Sequence, residues 1–383
     1  MGWVKTLSKV LYIDLARKIF WVEDREDLFS KWLGGIGVAT QLYKEEVPRR
    51  ADPLGPENTI IFAIGPGTGI FPMASKTIAV FKSPLNGYMA ESHAGGRSAT
   101  AIRFAGYGAI VIKGVSDRPV YLVIDDEKVR FRDAGAIWGM RSSETVGRVL
   151  REALPGAGMR TIMRIGRAGE RLIRYANVTV ETYRHFGRMG LGAVMGSKKL
   201  KAIVVIGRKT FRLPDVKNYR EVYKELYELS RGVATKKYHD LGTAANVLPL
   251  DKIGALPTRN FSSGRFEGAK EISGEKLAEE NLARRVACVA CPVACIHLAY
   301  IREEYETEKY FYKTEFVPYD YELIYALGSN LGVSDRIGLL KIIKAVEEEG
   351  LDAISTGVVL AWATEALERG LISEKETLVP LRW

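Results

Sequence analysis

The chain has 383 residues, 47% hydrophobic and 27% charged, a balance that excludes a disordered or fibrous protein and allows two to three domains. Fifty-six Lys and Arg against 46 Asp and Glu leave a net charge of +10, which favours anionic partners. No run of about five or six basic residues marks a nucleic-acid surface, and no segment reaches the roughly 18 uninterrupted apolar residues of a membrane span.

Met1-Gly2-Trp3-Val4-Lys5 has no apolar core with a small-residue cleavage site, so a cytoplasmic protein is expected. A single glutamine, Gln41, beside abundant Glu, Lys and Arg is a bias of proteins that work hot. From Lys5 to about Gly207 the sequence predicts short strands between Gly, Pro and Asn turns: Val10–Asp14, Ile19–Glu23, Thr59–Ile64, Thr77–Phe81, Ala109–Lys113, Val120–Asp125, Val129–Arg132, Thr161–Ile165 and Ala202–Ile206. Helical periodicity is confined here to Leu28–Leu33, Ile36–Tyr43 and Ser143–Ala153. Lys198-Lys199 with Lys201 reads as a solvated edge. After Leu213-Pro214-Asp215, with Asp215 as a helix N-cap, helix dominates: Tyr219–Leu229, Ala326–Gly332, Ile337–Glu349 and Thr356–Arg369, punctuated by Gly332, Gly350 and Gly370. Arg302–Lys313 reads as an exposed insertion or hairpin. The expected class is α+β, with a β-rich domain over residues 1–210 and a mostly α-helical domain over 211–383, and no sequence repeat.

Two groups of residues carry chemistry. The only cysteines, Cys288, Cys291 and Cys295, form a C-x2-C-x3-C cluster, too close and too few for a disulfide framework. An iron–sulfur cluster, a zinc site completed by His297, and plain buried thiols all fit. The small residues Val289, Ala290, Val293 and Ala294 let the loop wrap closely, and structural zinc usually draws on two separated knuckles, which puts the cluster first. A [4Fe–4S] cluster wants four cysteines, and the fourth is not in this sequence.

The second group is glycine. Thirty-eight glycines make about a tenth of the chain against a usual share of roughly 7%. They gather in loops: Gly65-Pro66-Gly67-Thr68-Gly69, Ser83–Tyr88, Ser92-His93-Ala94-Gly95-Gly96-Arg97 and Gly187-Arg188-Met189-Gly190-Leu191-Gly192. Freed backbone amides there approach phosphate, with Lys76, Arg97 and Arg188 supplying charge. Any one such loop reads equally as an ordinary turn. The order G-x-x-G-x-G from Gly187, with no acidic residue about 20 positions on, argues against a Rossmann dinucleotide site.

These segments together resemble the aldehyde:ferredoxin oxidoreductase family, the tungsten-pterin enzymes of anaerobic microbes. The resemblance is carried by Gly106-Tyr107 within Arg103–Gly114, Gly187–Leu200, Cys288–Cys295, Ala326-Leu327-Gly328-Ser329-Asn330-Leu331-Gly332 and Glu347–Gly357, in the family's order. It implies two β-sheets forming a base for two pterins that carry tungsten or molybdenum, a magnesium ion bridging the pterin phosphates, and helical domains covering them. It also implies oxidation of aldehydes to carboxylic acids, with electrons passing through a [4Fe–4S] cluster to ferredoxin. Cys288, Cys291 and Cys295 match cluster ligands. Lys76 falls where the family usually has a pterin-phosphate arginine, His93 where it has asparagine, and Gly95 matches, with Gly96 beside it. Arg188 and the following Gly190 and Gly192 match a second phosphate contact. Glu347-x-x-Gly350-Leu351-Asp352 resembles a pterin-ring motif with Glu for its leading Asp. Glu322 falls at the glutamate beside the metal; on its own it reads as an exposed helix-start carboxylate. The family's later segment, with a second pterin motif and the fourth cysteine, has no match here, so a complementing polypeptide is expected. A non-catalytic paralogue and a zinc- and anion-binding protein are the alternatives.

Overall fold

In the computed structural model the described residues are 7–181, 183–211, 213 and 215–383; Met1–Lys5 and Pro214, used above, lie outside them. Two compact units emerge. The first takes in residues to Ser230 together with Cys288–Pro292 and Glu348–Leu351, and the second takes in Arg231–Ala287, Val293–Glu347 and Asp352–Trp383.

The first unit holds twelve strands: β1 (Lys9–Asp14), β2 (Ile19–Asp24), β3 (Ile60–Ile64), β4 (Thr77–Lys82), β5 (Met89–Ala94), β6 (Ala109–Lys113), β7 (Val120–Asp125), β8 (Lys128–Asp133), β9 (Met159–Arg164), β10 (Val178–Val180), β11 (Arg184–Phe186) and β12 (Leu200–Gly207). One sheet has the order β2-β1-β6-β3-β4-β5 and the other β8-β7-β12-β9-β10-β11. Adding six to every number in the first order gives the second. Each sheet has one parallel pair, β1 with β6 and β7 with β12, and is otherwise antiparallel.

The helices of this unit are α1 (Glu26–Trp32), α2 (Gly35–Glu46), α3 (Ser98–Ala105), α4 (Ser143–Ala153), α5 (Arg167–Glu170), α6 (Leu191–Ser197) and α7 (Val216–Arg231). Four of them follow the same duplication. α2 follows the β1–β2 hairpin as α4 follows β7–β8, and α3 joins β5 to β6 as α6 joins β11 to β12. The sequence shows no repeat because the halves share a backbone path and not residues.

Central strands β3 and β12 are buried along their whole length, so they read as continuous apolar runs with no alternation. The two sheets share one core, in which Phe62 meets Phe186 edge-on at 5.4 Å. The expected solvated edge at Lys198–Lys201 is corrected: Lys198 and Lys201 are both 0% exposed. Lysine stems are apolar, and each ammonium finds a partner, Lys198 the carbonyls of Pro56 and Gly114 at 3.2 and 3.1 Å and Lys201 the carboxylate of Glu170. Ser92-His93-Ala94, read as loop, is the end of strand β5. Its inward positions Ala90, Ser92 and Ala94 alternate correctly but are small, without the β-branched or aromatic residues that announce a strand.

The second unit contains α8 (Val233–Asp240), α9 (Val247–Lys252), α10 (Gly274–Glu280), α11 (Tyr321–Leu327), α12 (Arg336–Glu349, whose last two residues count with the first unit), α13 (Ala353–Glu368) and α14 (Glu374–Thr377). It also contains a three-stranded antiparallel sheet of β13 (Leu282–Val286), β14 (Ile296–Tyr305) and β15 (Glu308–Tyr319). Residues 302–313 are the tip of the β14–β15 hairpin, as expected. The helix expected over Ala326–Gly332 begins earlier: α11 runs from Tyr321, breaks at Gly328 (φ −105°, ψ −95°), and a single 3-10 turn follows. Among the described residues no helix is long and apolar enough to cross a membrane.

Candidate cofactor base and thiol loop

Both glycine turns of interest occupy equivalent places in the two halves. Gly95 and Gly96 lie between β5 and α3, and Gly187–Gly190 lie between β11 and α6. Each carries one exposed arginine, Arg97 and Arg188 respectively. Gly190 has φ +81° and serves as the N-cap of α6, a conformation that costs any L side chain. Two residues on, the amide of Gly192 donates to the carbonyl of Ala176 at 2.9 Å.

The first turn is covered by the cysteine loop. The amide of Val289 donates to the carbonyl of Gly96 at 3.1 Å, and the amide of Met73 donates to that of Ala290 at 3.1 Å. A Cβ at Gly95 would lie 2.8 Å from Cys288 Sγ, closer than real contacts allow, so only glycine admits the thiol. Ala290 and Ala294 have φ +56° and +50°, which turn the loop sharply on itself. All three cysteines are partly buried thiols rather than disulfides. Among the described residues no three His, Cys, Asp or Glu side chains converge as a metal-binding group, so nothing supports the expected magnesium. Three soft thiols on one tight loop, with a cradle cleared by Gly95, nevertheless fit an iron–sulfur cluster in donor chemistry.

His297, the candidate fourth zinc ligand, is engaged elsewhere. Its Nδ1 faces the Cys295 carbonyl at 3.2 Å and its Nε2 the Asp240 carbonyl at 3.1 Å, so both ring nitrogens are turned to backbone oxygens. Burial pushes its pKa below the ordinary histidine value.

The second turn shares its support with Glu348–Leu351. Ala176 and Leu351 form a bridge, the Asn177 amide donates to the Gly350 carbonyl at 2.8 Å, and Asn177 Nδ2 donates to the Leu351 carbonyl at 2.8 Å. Arg167 clamps Glu349 with both prongs of its guanidinium. Asn177 escaped the sequence reading, since a lone asparagine before a strand gives no signal. It is buried, and its Oδ1 has no hydrogen-bond partner among the described residues. A buried acceptor left open beside Leu351 fits a pterin ring, which carries N–H donors.

The remaining expected residues are dispersed. Lys76 is exposed just before β4, and His93 lies on the outward face of β5, 3.6 Å from Glu91. Glu347 is half-buried on the last turn of α12. Asp352 is buried and caps α13, accepting from the amide of Ile354 and from the Ser355 hydroxyl. Glu322 is exposed in the first turn of α11, whose start is fixed by the Asp320 cap on the Leu323 amide and by Tyr321 N–H donating to Thr243 Oγ1.

A duplicated sheet base whose glycine turns are met by a thiol loop and by an asparagine-anchored strap defines the class, and sequence comparison names it: the chain belongs to the aldehyde ferredoxin oxidoreductase family. Residues 10–207 match the family described as "Aldehyde ferredoxin oxidoreductase, N-terminal domain" and residues 218–383 that described as "Aldehyde ferredoxin oxidoreductase, domains 2 & 3". Among individual relatives, the tungsten-containing aldehyde ferredoxin oxidoreductase of Pyrococcus horikoshii is 40% identical over 376 residues, 96% of this chain and 60% of that protein. The WOR-like subunit of the aliphatic sulfonate oxidoreductase of Pyrococcus furiosus is 33% identical, over 98% of this chain and 62% of that protein. The solved active-site complex BamBC of benzoyl coenzyme A reductase superposes with a TM-score of 0.79 at 26% identity, over 97% of this chain and 57% of that one. The chain thus spans about 60% of the length of the curated relatives it matches.

Proposed function

We propose that these residues form the cofactor base of an aldehyde oxidoreductase that converts aldehydes to carboxylic acids and delivers the electrons to a ferredoxin-type acceptor. The observation that carries the reading is the duplication: two equivalent glycine turns, each with one exposed arginine, one of them under a cysteine loop. Two such turns suit a pair of pterins, and the loop suits a cluster beside one of them. When bound, a tungsten or molybdenum bis-pterin and a [4Fe–4S] cluster supply the two-electron oxidation with water and the onward transfer of single electrons. The backbone amides around Gly95, Gly96, Gly190 and Gly192, with Lys76 and Arg188, hold the phosphates. His93 occupies the neighbouring polar position, while Asn177, Glu347, Leu351 and Asp352 hold the ring systems. Cys288, Cys291 and Cys295 are the cluster ligands. The Glu322 carboxylate takes the proton from the attacking water.

Aldehyde is the substrate class favoured because relatives at about 40% identity bear that name, while those named for sulfonate and dienoyl-CoA stand at 33% and 26%. Protein purified anaerobically from its host should contain tungsten and about four irons, and zinc alone would sink the reading. Aldehyde-dependent reduction of a viologen dye should be lost in Glu322→Gln with metal content unchanged. Full activity in that variant would remove Glu322 from the site. A cofactor-loaded parent inert toward every aldehyde would favour a non-catalytic paralogue.

A further inference from the structure

Arg184, the first residue of β11, was not singled out by any motif, yet the fold carries it to the thiol loop. The point a Gly95 Cβ would occupy lies 2.8 Å from Cys288 Sγ and 3.8 Å from both Cδ and Nε of Arg184. The corresponding point at Gly96 has Arg184 Cβ and Cγ at 3.7 Å and Val180 Cγ1 at 3.6 Å. The arginine stem therefore lies along the whole glycine turn. Val180 and Arg184 are paired across β10 and β11, so the stem is held by sheet geometry. Arg184 Nε is buried. Two groups that flank one point at these distances are closer than the Debye length of about 8 Å, and burial weakens screening further.

We propose that Arg184 is a positioning residue whose fixed positive charge sets the reduction potential of the cluster on Cys288. The inference rests on the reading of the cysteine loop as a cluster site. When the cluster accepts one electron from the aldehyde-oxidising centre, its charge becomes more negative by one, and no bond is made or broken. A guanidinium held beside it stabilises the reduced form more than the oxidised form, which raises the potential and draws the electron out of the active centre. Arginine suits this task because its charge persists at every working pH.

The test is an EPR-monitored redox titration of the full-length, cluster-loaded protein, with iron quantified in every sample. Arg184→Gln and Arg184→Met should lower the midpoint potential at unchanged iron content, and Arg184→Lys should keep it near that of the parent. An unshifted potential in the iron-replete neutral variants overturns the proposal. So does an equal shift in Arg184→Lys, which would make the guanidinium a packing strut only. If the neutral variants lose iron, retention of iron and potential by Arg184→Lys supports the charge, and loss of iron in that variant also overturns it. A parent without iron would overturn the cluster reading itself, a result distinct from an iron-loaded protein indifferent to Arg184.

Discussion

Two side chains show how residue chemistry is decided by context. The Lys198 ammonium donates to the carbonyls of Pro56 and Gly114, and burial pushes its pKa down to about 8. The unfolded chain therefore binds this proton more tightly than the folded one, so unfolding takes up a proton between about pH 8 and the ordinary lysine value. Stability accordingly rises with pH across that window. Lys198→Met removes the titration. Chemical denaturation at both ends of the window should show the parent gaining on the variant by up to about 3 kcal/mol as pH rises. A constant difference would mean that Lys198 does not titrate there. Nothing in Lys198-Lys199 announces this, since adjacent lysines on a sequence look alike until the turn from α6 into β12 assigns one to the core. Cys288 is the opposite case: the cluster role expected of it comes from spacing alone, while the glycine that makes room for it was one of many.

At the scale of elements, Asp352 joins two demands. It is the N-cap of α13 and it closes the motif expected to hold a pterin ring. The two roles separate by substitution. Asp352→Ala should cost about 1 kcal/mol of stability through the lost cap, whereas Asp352→Ser, an equally good cap, should restore most of it. If the carboxylate also holds the pterin, Asp352→Ser stays folded but loses pterin on anaerobic purification, read by fluorescence of the released cofactor. Retention of pterin would leave Asp352 as a cap alone. Strand legibility followed length and residue type more than burial: β2 was expected although largely exposed, and wholly buried β10 was not. β3 and β12 were visible as apolar runs, and Arg302–Lys313 as an exposed insertion or hairpin. β10 and β11 have three residues each, too short for any period to emerge, and they carry Arg184 and adjoin Asn177. The site residues that escaped the sequence reading are therefore those held by the least legible elements.

For the whole molecule, the charge of +10 bears on the electron acceptor. If the acceptor is an acidic ferredoxin, the second-order rate of its reduction should fall steeply as ionic strength rises, since steering acts over a Debye length that contracts from about 30 Å at 0.01 M to about 10 Å at 0.1 M. Stopped-flow measurement across that range checks it, and a flat profile would mean that the basic surface does not guide the encounter. The β-rich first half was legible because turns and apolar runs alternate on a short period, whereas its two-sheet character was expected only from the family resemblance. The helical reading of the second half was incomplete, because β14 and β15 form one long hairpin whose outer residues are charged and aromatic.

The six-strand repeat has a consequence for how the chain is made. The first sheet draws every strand from residues 9–113 and the second from residues 120–207, with no strand exchanged between them. Its parallel pair needs β6, so the first sheet closes only when Lys113 is in place, and then lacks nothing of its own. A nascent chain can complete one sheet at the ribosome before the next begins to pair, which keeps its open edges from meeting those of its successor.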